Sequence, residues 1–291
     1  MSAQSDLVHM FNGIPFSTRA SIELLQSLDS FEVRADDLLL ASYPKSGTHW
    51  LTEILKHLYH SQQAANGGKS MTLTTSIEFG DPFKFEELKN LPSLRLIPTH
   101  LNYRMLPVQF KTKKCKMIYI IRNPKDTAVS FYHYYRENAN LPKIKKWATF
   151  LEMFMKGEVV CGSWWHHILS WEEHMNDDNV LILYYESMKK DLLKSIEQIC
   201  NFLGISVTDQ QMREISRRSS FKEMKEEAQR ENPAPDHTVC VLTSNRQLVF
   251  RKGTVGDWKN YFTSEQNKHF EEQFRSRMNS SELAKSIIYE S

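Results

Sequence analysis

Cysteine is scarce and scattered in this chain: four in 291 residues, at positions 115, 161, 200 and 240. No C-x-x-C pair occurs, so neither a zinc site nor a disulfide framework is indicated, and a reducing compartment is the expected setting. Long apolar runs are missing as well. The longest central one, residues 117–121, is far too short to span a bilayer. Residues 1–13 hold no apolar core of signal-peptide length. A soluble, cytoplasmic protein with no membrane partner is expected. An excess of one charge sign is also absent: 37 Lys and Arg face 35 Asp and Glu, for a net charge of +2. That balance argues against nucleic acid as a partner, because a broad basic surface is lacking and any basic cluster must be local. Internal repeats and low-complexity tracts do not occur. What the chain does have is 41% hydrophobic residues, enough to fill the core of one large α/β domain or two small ones.

The most informative stretch is Asp37-Leu38-Leu39-Leu40-Ala41-Ser42-Tyr43-Pro44-Lys45-Ser46-Gly47-Thr48-His49-Trp50. An apolar run of strand length leads into a turn built on Pro44 and Gly47. Leu51, Ile54, Leu55 and Leu58 then recur at helical spacing. Strand, tight loop and helix together aim the first free N–H groups of the helix at the loop, which suits an anion. Lys45 adds a positive charge there, and Ser46, Thr48 and His49 add donors. An ordinary βα turn with a solvated Lys is the plainer alternative. The pattern is not the ATP cradle G-x-x-x-x-G-K-S/T, since Pro44 precedes the Lys and no upstream glycine stands in register.

Tyr43-Pro44-Lys45-Ser46-Gly47-Thr48-x-Trp50 instead resembles the 5′-phosphosulfate loop of the cytosolic sulfotransferases, with the family-six branch as its expected neighbourhood. That resemblance implies 3′-phosphoadenosine-5′-phosphosulfate (PAPS) as cosubstrate, its desulfonated product PAP, and no metal. It extends from about residue 36 to the end. Arg122-Asn123-Pro124-Lys125-Asp126-Thr127-Ala128-Val129-Ser130 matches the family's R-N-x-K-D-x-x-V-S, which implies that Arg122 and Ser130 hold the 3′-phosphate. Arg251-Lys252-Gly253-Thr254-Val255-Gly256-Asp257-Trp258-Lys259 matches R-K-G-x-x-G-D-W-K, which implies a grip on the same phosphate from the opposite side. Two cations and a glycine also make a small anion nest on their own chemistry. By the same resemblance Trp50, Tyr185, Ser219 and Phe221 frame the adenine, Ser219 standing where the family commonly has Thr.

The remaining chain fits one domain around a parallel sheet flanked by helices. Residues 116–121 and 179–186 read as buried strands, apolar on both faces. Residues 1–16 read as a tail, 17–28 as a helix, 71–93 as an irregular segment whose aromatics Phe79, Phe83 and Phe85 suit a pocket lip, and 187–204 as one long helix ended by Gly204. Trp164, Trp165 and Trp171 read as core. Residues 229–249, with two prolines and little periodicity, read as a mobile loop and candidate lid. Thr208 with Gln211, and Thr263 with Gln266, have the spacing of helix-opening capping boxes, the second of them opening a helix that closes the domain.

His100 follows a short strand that ends at Pro98, at the sheet edge where ligands bind in open α/β folds. Taken alone, a single His is more often structural. The resemblance assigns it the role of base, and imidazole is apt for that near neutral pH. The family usually has Lys two residues before this His; Pro98 stands there instead. The implied reaction is in-line sulfuryl transfer to a hydroxyl or amine of a small acceptor: a phenol, steroid, iodothyronine or amine. His100 removes the acceptor proton and Lys45, steered by Ser46, neutralises the leaving phosphate oxygen. A nucleotide-binding protein without catalysis, favoured by Pro98, and a kinase-like P-loop enzyme are the alternatives. The family's dimer pattern K-x-x-x-T-V-x-x-x-E is broken, because Ser264 and Lys268 replace its Val and Glu. A monomer or weak homodimer is therefore expected.

Overall fold

In the computed structural model, residues 5–66, 70–229 and 246–290 are described. Near the N-terminus, β1 (Val8–Phe11) and β2 (Ile14–Ser17) pair antiparallel, with Val8 opposite Ser17. The expected tail is therefore a hairpin. Asn12 and Gly13, with φ of 50° and 74°, supply the two positive dihedrals that a two-residue turn requires. Phe16 anchors the hairpin in the core. Of the expected helix 17–28, Ser17 belongs to β2, residues 18–19 form a turn, and residues 28–30 form a 3-10 turn, so α1 spans only Ile22–Gln26, opened by the Ser21 side chain accepting from the Leu24 N–H.

The central sheet is built from β3 (Leu38–Ser42), β4 (Thr72–Leu73), β5 (Arg95–Thr99), β6 (Lys116–Ile121) and β7 (Val180–Tyr184). The order is β4-β5-β3-β6-β7, and every pairing is parallel. Side chains along β3 alternate between two apolar layers. Leu39 and Ala41 face a large aromatic core, and Leu38 and Leu40 face a second, aliphatic one. Burial on both faces is what a parallel sheet imposes, and it explains the unbroken apolar run.

The helices are α2 (Thr48–Asn66), α3 (Phe83–Lys89), α4 (Val108–Thr112), α5 (Pro124–Glu137), α6 (Trp147–Lys156), α7 (Trp164–Glu172), α8 (Tyr185–Lys190), α9 (Leu192–Leu203), α10 (Asp209–Arg218), α11 (Phe221–Gln229), α12 (Ser264–Met278) and α13 (Glu282–Lys285). Leu51, Ile54, Leu55 and Leu58 of α2 pack with Met188, Ile196 and Ile215 of α8, α9 and α10 on the aliphatic face. On the other face Trp164, Trp165 and Trp171 are buried, Trp171 stacking on Tyr119 at 4.6 Å. Both capping boxes are present.

Three segments depart from the sequence pattern. Residues 71–93 contain β4 and α3: Pro82 precedes the first turn rather than breaking it, and Asp81 accepts from the Phe83 N–H. Phe79 and Phe85 are buried there, and only Phe83 is exposed. The expected helix 187–204 is two helices, because Asp191 leaves helical geometry (φ −146°, ψ 88°) and caps α9. Tyr185, expected at a strand end, opens α8. After α12 the chain continues into α13. Of the candidate lid, residues 230–245 and Cys240 lie outside the described residues, while 246–249 form a single 3-10 turn.

Candidate active site

The chain leaves β3 for one edge of the sheet and returns to the other side of β3 at β6, so the crossovers diverge at the C-terminal ends of β3, β5 and β6. A crevice opens at such a point in α/β sheets. It is a cavity of about 1250 Å³, open mouth included.

The loop after β3 forms its floor. Lys45 has φ +68° and Gly47 φ +115°. A Cβ at Gly47 would stand 2.9 Å from the Tyr185 ring and 3.1 Å from Ile120, so the loop can lie this close only with glycine. Tyr43 anchors it from below, donating to the Gly162 carbonyl at 2.7 Å. Lys45 is half-buried, its Nζ 4.4 Å from the Tyr134 ring centroid and 3.5 Å from the Leu248 carbonyl. Burial, and then the nearby charges of Arg122 and Arg251, lower its pKa to about 7.

Arg122, just past β6, donates to the Lys45 carbonyl and to the Thr254 carbonyl, both at 3.2 Å, and lies over the Tyr185 ring at 4.4 Å. Its Nε is buried without a partner. Arg251 and Lys252 both pair with Asp257, at 2.6 and 2.7 Å. Burial opposes the charge on Asp257, but hydrogen bonds from Lys252, Asn260 and Arg251 outweigh it and hold the pKa near 2. Gly253 (φ +66°) lies against Phe221, where a Cβ would come within 2.4 Å of the ring. Several cations with one carboxylate between them are a site for a multiply charged anion.

Beside this basic end, Trp50 and Tyr185 meet edge to face at 5.2 Å, and the Trp50 indole donates to the Ser219 carbonyl at 2.8 Å. Lys189 and Met224 complete that wall. The same cavity is also lined by Phe79, Phe131, Tyr134, Leu141, Val160 and Cys161, an apolar chamber continuous with the aromatic core. His100 and Lys45 stand on the wall of the same cavity. The Nδ1 of His100 lies 2.9 Å from the Ser42 carbonyl, which can only accept. Nδ1 therefore carries the proton, and Nε2 is left with its lone pair. The neighbouring His167 has its Nε2 3.2 Å from the His100 carbonyl and its Nδ1 2.7 Å from the Tyr119 hydroxyl. Burial pushes its pKa down to about 3, so it is neutral.

The cavity thus gathers Lys45, Gly47, Thr48, His49, Trp50, His100, Arg122, Ser130, Tyr185, Phe221, Arg251, Lys252 and Gly253. Ser46 and Ser219 are fully buried behind it, each with an unpartnered hydroxyl. Sequence reasoning missed the apolar chamber, Lys189, and two buried carboxylates. Asp126 takes the Gly256 and Trp258 N–H groups at 2.8 and 2.9 Å and so docks the 251–258 loop onto α5. Glu186 takes the Asn123 N–H at 2.9 Å, and burial raises its pKa to about 7. Asp126 was signalled by its place between Arg122 and Ser130; nothing local signalled Glu186. Among the described residues no group of three or more His, Cys, Asp or Glu is placed to hold a metal ion, and no helix is long and apolar enough to cross a membrane.

The family model for the sulfotransferase domain matches residues 35–282. Mouse Sulfotransferase 6B1 is 37% identical over 287 residues, covering 98% of this chain and 91% of that one. Bovine Sulfotransferase 1A1 is 39% identical over 274 residues, 91% of each. Among solved structures, mouse sulfotransferase SULT7A1 complexed with PAP superposes with a TM-score of 0.88 at 57% identity, covering 96% of this chain and 98% of that one. The chain is thus more similar to that protein than to the 6B1 sequence. A retinol dehydratase superposes with a TM-score of 0.76 at 21% identity, a likeness of fold alone. By fold, by motif and by these likenesses, the chain belongs to the cytosolic sulfotransferases, the PAPS-dependent family that its strand-loop-helix resembles.

Proposed function

We propose that this protein binds PAPS with its 3′-phosphate at the basic end of the cavity and transfers the sulfuryl group to the hydroxyl of a small aromatic acceptor in the apolar chamber. The nucleotide assignment is supported by Arg122, Ser130, Arg251, Lys252 and Gly253 converging on one end, with the aromatic wall of Trp50, Tyr185 and Phe221 beside it. It is also supported by the PAP complex of the 57% identical mouse SULT7A1. Two positive groups past the loop favour a nucleotide with a second phosphate away from the transferring group, and so disfavour ATP.

The observation that carries the chemistry is the 2.9 Å contact between His100 Nδ1 and the Ser42 carbonyl. With Nδ1–H fixed on the Ser42 carbonyl, Nε2 can accept the acceptor's proton as its oxygen attacks sulfur. The S–O bond to the phosphate then breaks, and Lys45 stabilises the charge left on that phosphate oxygen. Among the described residues no carboxylate lines the apolar chamber, so a neutral phenol is a better acceptor than a cationic amine.

The test has two arms. Thermal unfolding with PAP or with ATP separates a sulfotransferase from a kinase; equal stabilisation by both overturns the nucleotide assignment. Radiolabelled transfer from PAPS over phenols, steroids and amines, with wild type and His100→Ala, tests the chemistry. We expect phenol turnover that is lost in the variant while PAP still binds. Full turnover in His100→Ala removes His100 from the mechanism.

A further inference from the structure

We propose that Glu78 is the positioning residue of the acceptor side, a buried carboxylate that fixes His100 and ties it to the wall the acceptor rests on. This rests on the reading of His100 as base. Glu78 precedes α3 and is fully buried. Each of its oxygens is engaged within the two-residue span that ends at the base. One accepts the His100 backbone N–H at 2.8 Å, and the other accepts the Thr99 hydroxyl at 2.9 Å. Thr99 in turn takes the Leu101 N–H at 3.0 Å, so the turn after β5 is pinned on both sides of His100.

The same carboxylate sits between two cavity-lining residues, Ser76 and Phe79. Their carbonyls are both held by the ammonium of buried Lys84, and Ile77 donates to the Pro98 carbonyl at 3.0 Å. Residues 76–79 and 98–101 are therefore one rigid unit. It carries the base at one end and part of the acceptor wall at the other. A charge buried this deeply is costly unless its hydrogen bonds are made. Here the hydrogen bonds from Thr99 and His100 to Glu78 converge on a single turn.

Glu78 acts on the base in two ways, by holding its backbone and by placing a negative charge beside it. The other titratable groups facing His100 are Lys45 from the loop after β3 and His167 from α7, the latter neutral. Replacing Glu78 with Gln removes the one carboxylate that, among the described residues, is bonded to this turn, and keeps its shape. Protonated His100 then loses a favourable partner, so the acid limb of the kcat/KM profile moves to lower pH. A misplacement of the base by a fraction of an ångström lowers kcat by about 10- to 100-fold.

The experiment compares wild type, Glu78→Gln, Thr99→Val and His100→Ala, using PAP titration calorimetry and phenol turnover from pH 5 to 9. For Glu78→Gln we expect PAP affinity within about twofold of wild type, a large fall in kcat and the downward shift of the acid limb. Thr99→Val keeps the charge and should lose rate with its acid limb in place. It also keeps the idea open to refutation if Glu78→Gln folds poorly, since a wild-type rate in Thr99→Val overturns the rigid unit. A Glu78→Gln enzyme with unchanged kcat and unchanged acid limb refutes the assignment. Activity persisting in His100→Ala refutes the base reading instead, and the two failures are distinct.

Discussion

In the proposed site, Lys45 should make nucleotide binding consume a proton. In the empty site burial, Arg122 and Arg251 hold its pKa near 7, so at pH 8 about nine-tenths of it is neutral. A bound nucleotide brings several negative charges to the same spot and returns Lys45 to its charged form. The folded, bound state then carries more protons than the free one. Affinity must fall as pH rises above about 7, by up to about tenfold per pH unit, until the pKa of the bound lysine is reached. Calorimetric PAP titrations at pH 8, in buffers of different ionisation enthalpy, read the proton count directly. The choice of pH 8 avoids the phosphates, whose last protons leave near pH 6. We expect uptake of about 0.9 proton per PAP at pH 8, and near zero for Lys45→Met. Uptake below about 0.2, or the same uptake in Lys45→Met, would show that Lys45 is already charged in the empty site and refute the reasoning.

Other outcomes follow from the same site. Arg122→Ala and Arg251→Ala should each weaken PAP binding by about 1.5–3 kcal/mol, the scale of one charge-assisted hydrogen bond; a titration showing no loss in either places the phosphate elsewhere. Gly253→Ala forces a left-handed alanine, at about 1–2 kcal/mol, against the Phe221 ring. PAP affinity should drop at least tenfold, and wild-type affinity would mean that the loop does not close on the nucleotide in this form. Light scattering at micromolar concentration should find a monomer or weak dimer, since Ser264 and Lys268 on α12 break the pairing pattern; a tight dimer through this segment would contradict that. Pro98→Lys should raise the rate with weakly acidic acceptors more than with acidic phenols, because Pro98 shares the strand face of His100 and a lysine there would add a cation beside the transferring group. A uniform loss across phenols of graded acidity would leave Pro98 as a structural residue.

Pro98 also shows where a sequence is readable and where it is not. As an expected strand end it was misplaced: β5 runs through it to Thr99. The reason lies in the sheet. Leu94, Leu96 and Pro98 turn their carbonyls toward residues 72–77, which donate to all three. The N–H that proline lacks would point the same way, past the end of the two-residue β4. The ladder to β3 stays whole, which only the tertiary pairing could reveal. By contrast, the two loops proposed to bind phosphate could be singled out in the sequence because their residues are local. Lys45, Ser46 and Gly47 lie within one turn, and Arg251, Lys252 and Gly253 are consecutive. The apolar chamber draws Phe79, Phe131, Leu141 and Val160 from four separate segments. Phe79 stood among the pocket-lip candidates, but no local pattern distinguishes Phe131, Leu141 and Val160 from ordinary core residues.

That difference bears on how the two ends of the site can vary. Residues proposed to meet the nucleotide are also held to one another. Arg122 donates to carbonyls of both phosphate loops, and Asp126 clamps one loop through two N–H groups. A substitution there disturbs this shared set of hydrogen bonds, and buried polar groups left unpaired are costly. The chamber is held by packing alone at Phe131, Leu141 and Val160, where swaps of similar volume usually cost less than about 1.5 kcal/mol. Acceptor choice can therefore drift by small changes in shape, while Glu78, Thr99 and His100 keep the base in register with whatever lies against Phe79.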